Sequence, residues 1–153
     1  MNSETPAVTP DLFNSILAQT IPRAAEMGIE VIELRPGYVR SRTPFEGNGN
    51  HIGTMYAGVL FTAAELLGGA IALSTFDMSR FFPVVKALSI SFRRPATGPV
   101  FAEASIPEEL ATELAETAER DGKAEFLFET TLTDEAGEVV ARTEGTYQLR
   151  SHG

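Results

Sequence analysis

Met55-Tyr56-Ala57-Gly58-Val59-Leu60-Phe61-Thr62-Ala63-Ala64-Glu65-Leu66-Leu67-Gly68-Gly69-Ala70-Ile71-Ala72-Leu73 is the most apolar run in the chain, and it holds a single charge, Glu65. A run of this length and composition is either a membrane span or a helix enclosed in a protein core. Glu65 argues against the span, because a carboxylate near a bilayer centre costs roughly 2.5–3.5 kcal/mol on insertion scales. Flanking Lys or Arg anchors are missing as well. Amphipathic segments on both sides offer surfaces to pack against, so the expectation is a buried helix in a water-soluble fold and no membrane partner.

Working outward, Asp11 to Gln19 carries Leu12, Phe13, Ile16 and Leu17 at helical spacing, with Thr9 placed to cap it. Pro22 opens a short turn to Met27, which Gly28 ends. Gly28 to Leu34 and Tyr38 to Thr43 read as strands joined by the turn Arg35-Pro36-Gly37. Glu46 to Asn50 is a loop by composition. Beyond the apolar run, Lys86 to Arg93 alternates, with Leu88, Ile90 and Phe92 on one face. Val100 to Ser105 is a further strand. Pro107 to Arg120 is an amphipathic helix with Glu108 and Glu109 leading and Arg120 closing, as the macrodipole prefers. Glu125 to Thr133 and Glu138 to Leu149 form a hairpin around Asp134 to Gly137. The order β-β-α-β-β-α-β-β predicts an α+β fold, an antiparallel sheet wrapped around one long central helix. A single domain over 10–150 is expected, with a flexible lead-in at 1–9 and a short tail at 151–153.

The composition narrows the chemistry. The 153 residues contain no cysteine, two histidines, and a formal net charge of -9. Disulfides, a thiolate nucleophile and cysteine-held metals are excluded. With only His51 and His152 available, no metal site and no cofactor is expected. The acidic balance weighs against nucleic acid, which is bound through clustered Lys and Arg. Met1 to Pro10 lacks a basic region followed by an apolar run, so a cytoplasmic location is expected.

Chemistry must then come from carboxylates, amides, hydroxyls and backbone groups. A lone carboxylate within a buried apolar helix is costly unless hydrogen-bonded or employed, and burial raises its pKa. A structural pairing with Arg or a backbone amide is the plainer alternative. Gly47-x-Gly49-x-x-x-Gly53 has the wrong spacing for a dinucleotide site, and neither a P-loop nor Gly-x-Ser-x-Gly occurs. Gly68-Gly69 is unfavourable within a helix by about 1 kcal/mol per glycine relative to alanine. Close packing against a sheet or a second helix would explain the pair.

The stretch Asn50-His51-Ile52-Gly53-Thr54 through Tyr56-Ala57-Gly58 to Glu65 resembles the active-site segment of hot-dog-fold acyl-CoA thioesterases of the PaaI-like class. In that family an Asn precedes a Gly-Thr and a His-Gly-Gly element, and an Asp or Glu follows seven residues after the last glycine. Gly58 and Glu65 keep that spacing, and Asn50 lies eight residues before Gly58. Ser91-Phe92-Arg93-Arg94-Pro95-Ala96 is similar to the family's strand ending in Arg-Pro or Ser-Pro-Ala. The resemblance covers about Ile21 to Leu149 and implies the following roles. Glu65 is nucleophile or general base, the Gly58 N–H is the oxyanion donor, and Asn50 orients water or holds the carboxylate. Tyr56, Ala57, Phe61 and His51 contact the acyl-CoA, a loop hydrogen bond being the plainer reading of His51. Apart from the resemblance, Arg80, Lys86, Arg93 and Arg94 are concentrated in an otherwise acidic chain and suit the CoA phosphates, with solvated surface charge the plainer reading of each. The family histidine is replaced by Tyr56, and the hydroxyl that some relatives carry on the next strand is missing from Val84 to Lys86. The resemblance further implies a homodimer, or a tetramer of dimers, with Glu65 of one chain facing Asn50 and Gly58 of the other. Two alternatives remain. One is a non-catalytic acyl-CoA-binding module. The other is a hydroxyacyl thioester dehydratase using His51 and Glu65, whose fourteen-residue spacing matches that class.

Overall fold

A computed structural model describes residues 7–153. Helix α1 (Pro10–Thr20) and the short α2 (Pro22–Glu26) precede β1 (Glu30–Arg35) and β2 (Tyr38–Thr43). Then come α3 (Ala57–Thr75), β3 (Phe81–Phe92), β4 (Val100–Ser105), α4 (Glu108–Asp121), β5 (Lys123–Thr133) and β6 (Val139–Ser151). All six strands form one antiparallel sheet in the order β1-β2-β4-β5-β6-β3. The expected lead-in falls largely outside the described residues. Of its described part, Thr9 accepts the Leu12 N–H at 3.1 Å and caps α1.

The apolar run is the axis of the fold. Ten residues of α3 are buried, Leu67, Ala70 and Ile71 completely. It is long and apolar enough to cross a membrane, yet the sheet takes up its surface. The alternation of β5 explains why: Ala124, Phe126, Phe128, Thr130 and Leu132 all point inward while their neighbours face solvent. The sheet wraps the helix in the hot-dog arrangement. Helix α4 buries Ala111, Leu114 and Ala118 and ends at Gly122, whose φ of 85° is the left-handed cap that glycine adopts without a Cβ clash.

Several boundaries differ from the sequence expectation by one or two residues, and two differences bear on the sheet. Strand β3 begins at Phe81, not Lys86, because Phe81-Phe82-Pro83-Val84-Val85 has no apolar–polar alternation and contains a proline. Pro83 is tolerated because β3 is an edge strand, paired only with β6. At the other end β6 runs through Ser151, one residue beyond the expected domain limit, since Ser151 pairs with Phe81 and the His152 N–H bonds Arg80 O at 3.0 Å.

The Gly68-Gly69 pair divides. A Cβ at Gly68 would run into the Tyr147 ring, so close packing against β6 accounts for that residue. A Cβ at Gly69 would meet nothing within 4 Å. Gly68→Ala should therefore lose about 1–2 kcal/mol, overpacking outweighing the helix-propensity gain, while Gly69→Ala should gain up to about 1 kcal/mol. Urea unfolding of both variants measures the contrast.

Candidate active site

Glu65 sits in the middle of α3, half-buried, with no hydrogen bond or ion pair to another side chain among the described residues. Burial alone raises its carboxyl pKa above the ordinary glutamate value. The structural pairing considered from sequence is thus not formed. Glu65 lines a cavity of about 370 Å³ with Phe61 and Thr62 of α3 and Val85, Lys86, Ala87 and Leu88 of β3. Tyr147, against α3 at Gly68, is 3 % exposed, and its hydroxyl has no hydrogen-bond partner among the described residues. Burial, and secondarily the Glu65 charge, raise that phenol's pKa.

The raised carboxyl has a consequence for stability. In the unfolded chain Glu65 ionises near pH 4.3, before it does so in the fold. Native stability therefore falls as pH climbs through the window between the two values and stays lower above it. Glu65→Gln removes this penalty, so the melting temperature of the variant should exceed wild type at pH 7, with the difference shrinking below pH 4. Thermal unfolding at both pH values checks it.

The N-terminus of α3 is built by the loop before it. Asn48, buried, donates to Met27 O at 2.8 Å and Pro44 O at 2.7 Å, and its carbonyl accepts the Tyr56 N–H at 2.8 Å. Asn50 accepts the Ile52 and Thr54 N–H groups, each at 3.0 Å, and donates to Thr54 Oγ1 at 2.9 Å. Its amide mainly holds the loop, with one N–H left over. Tyr56 O takes the Val59 and Leu60 N–H groups, so Ala57 and Gly58 present the unclaimed donors of the first turn. The exposed Tyr56 ring lies over Gly58, where a Cβ would collide with it. Asn50, Ala57 and Leu60 line a second cavity, of about 300 Å³, with Phe92, Arg93, Arg94, Pro95 and Ala96.

Within one chain these groups fall into two places. Gly58 and Glu65 are separated by about 10 Å along the helix, at 1.5 Å per residue. Asn50, Ala57, Arg93 and Arg94 share the cavity at the Phe92 end of β3, whereas Glu65 and Phe61 share the one at Val85 to Leu88. His51 is exposed and lines neither cavity, so the structure does not pair it with Glu65. Of the cations, Arg80 pairs with Glu119, Lys86 with Glu125 at 3.6 Å and Arg94 with Glu138 at 3.9 Å. The Arg93 side chain donates to Ser91 Oγ at 3.1 Å and meets no carboxylate among the described residues. No group of three or more His, Asp or Glu among the described residues could hold a metal. Asn48, Thr62 and Tyr147 escaped sequence reasoning. Only Asn48 carried a usable signal, as an asparagine in a glycine-flanked loop before a helix.

A hot-dog sheet with a single carboxylate on its central helix, and free donors at that helix's N-terminus, defines the class of fold and site. The chain belongs to the family described as a domain of unknown function, DUF4442, whose family model matches residues 9–149. A protein of unknown function from Pseudomonas aeruginosa, named a probable thioesterase, is 47% identical over 95% of this chain and 100% of its own, with a TM-score of 0.88. A Chlorobaculum tepidum protein of unknown function is 23% identical over 94% of this chain and 98% of its own, with a TM-score of 0.82. A Haemophilus influenzae thioesterase shares the fold at 14% identity and a TM-score of 0.75, over 97% of this chain and 93% of its own. No curated protein matches the chain.

Proposed function

We propose that the protein is a cytoplasmic acyl-CoA thioesterase of the PaaI-like kind, working as a homodimer. The observation that carries the reading is Glu65, a carboxylate unpaired with other side chains, raised in pKa by burial and lining a cavity that opens on an edge strand. The 47% identical relative named a probable thioesterase supports it. In this scheme the thioester oxygen receives the Gly58 N–H at the positive end of α3. Glu65 takes a proton from water, whose oxygen adds to the carbonyl carbon. The C–S bond then breaks, and the thiolate leaves readily because its thiol pKa is about 8.5. Glu65 returns the proton to sulfur. Neither a histidine nor a metal is required.

The separation between Gly58 and Glu65 calls for a second copy. Strand β3 has one free edge carrying Val85 and Phe92, 43% and 53% exposed. An unpaired apolar edge is a template for another strand. Antiparallel pairing of two β3 edges, centred on Ser89 and counting the register shift between Val85 and Ala87, sets Val85 of one copy opposite Phe92 of the other. The Glu65 cavity then meets the cavity that Asn50 and Ala57 line in the second copy, next to Gly58 in the chain, twice by symmetry. Arg93, free of carboxylates, is left for the CoA phosphates.

The test is release of free thiol from a panel of acyl-CoAs, with sedimentation to count subunits. Turnover by a dimer is expected. A protein inert on every acyl-CoA would overturn the reading, and stabilisation by acyl-CoA without turnover would instead identify a binding module.

A further inference from the structure

Glu65 borders two cavities. The second, about 240 Å³, lies between α1, α3 and the start of β3, lined by Phe13, Ile16, Leu17, Leu66, Leu73 and Pro83 and by Gly69, which is exposed. Its only polar lining side chains among the described residues are Thr20, whose hydroxyl is spent on Ile16 O at 2.8 Å, and Glu65 itself. Gly69 has no packing explanation, since a Cβ there would stand in open space. A glycine in a helix interior carries a stability penalty, and here what it preserves is room. We infer that this crevice receives the acyl chain of the substrate, a medium-length saturated chain, and that Gly69 sets its permitted length.

The inference rests on the thioesterase reading, because the carbonyl carbon must sit at Glu65, which lines both cavities. The acyl chain then runs beneath α1 while the thiol side leaves past Phe61 and Lys86. Continuity with Glu65 selects this occupant. A dry apolar cavity of about 150 Å³ holds one benzene, six carbons, so this crevice scales to about eight to ten carbons. A leucine side chain at position 69 would take the space of four of them.

Gly69→Leu should lower the ratio of kcat/KM for decanoyl-CoA over butyryl-CoA by about tenfold or more, since each methylene withdrawn from water is worth roughly fourfold. Gly69→Ala should fall between. A Cβ at position 69 meets nothing within 4 Å and the longer leucine side chain extends into the crevice, so circular dichroism should show both folded. Wild-type turnover with an unchanged ratio in Gly69→Leu would overturn the crevice while leaving the thioesterase reading intact. If no acyl-CoA is turned over, calorimetry with decanoate decides separately. Binding to wild type that is lost in Gly69→Leu supports the crevice as an acyl site. Absence of binding, as when a second copy fills the crevice, overturns it.

Discussion

Glu65→Gln is expected to lower kcat for acyl-CoA hydrolysis by about 10²–10⁴-fold, the range for loss of a general base, with KM little changed. Glutamine keeps the length and nearly the volume of the side chain, so the cavity it shares with Phe61, Val85 and Leu88 stays open. What disappears is the ability to accept a proton. Because burial raises the carboxyl pKa, the wild-type rate should climb with pH through a value above the free-glutamate range and then level off. The variant should lack that acid limb. Stopped assays of thiol release from pH 4 to 8 give both readouts. A variant retaining full rate would remove Glu65 from the chemistry. The opposite signs expected for activity and thermal stability also separate a catalytic defect from a damaged fold.

The second large effect concerns the division of the site between copies. Gly58→Pro removes the donor at the start of α3, where a missing N–H leaves the helix ladder intact and the new Cβ pushes the exposed Tyr56 ring aside. Glu65→Gln and Gly58→Pro should each be nearly inactive alone. Mixed in equal amounts and allowed to exchange subunits, they should recover about one quarter of wild-type activity, because half the dimers are mixed and each holds one intact site. If Gly58 and Glu65 of the same chain served one site, mixing would restore nothing. Activity of the mixture against exchange time is the measurement.

The fold was largely legible because its periodicities are strong. The apolar run from Met55 to Leu73 became α3 at Ala57–Thr75, displaced by two residues at each end. The Asp134–Gly137 turn closes β5 onto β6 as its composition indicates. The first five residues of β3 were not legible, since Pro83 and unbroken hydrophobicity mask a strand that lies on an edge. For the site, a lone charge in an apolar helix pointed to Glu65, and the structure places it unpaired with other side chains. The cavities on either side could not be read, because they arise where α1 and β3 approach α3 from distant parts of the chain. Nor could sequence show that most of the Asn50 amide is occupied within its own loop, which depends on the backbone turn at 50–54.

The pairing of β3 with β6 also governs when the protein can finish folding. Phe92 waits for Ala141 and Phe81 for Ser151, while β4, α4 and β5 all intervene in the chain. During synthesis α3 can pack on β1 and β2 and then on β4 and β5, whereas β3 meets no partner strand among the described residues until β6 follows. Closure of such distant contacts is slow, and meanwhile the apolar Phe81 to Val85 stretch of β3 lacks its partner strand. Nascent chains should accordingly be most dependent on chaperones between the emergence of Leu73 and that of Ser151, and protease resistance of ribosome-bound chains should appear only once residue 151 has cleared the exit tunnel.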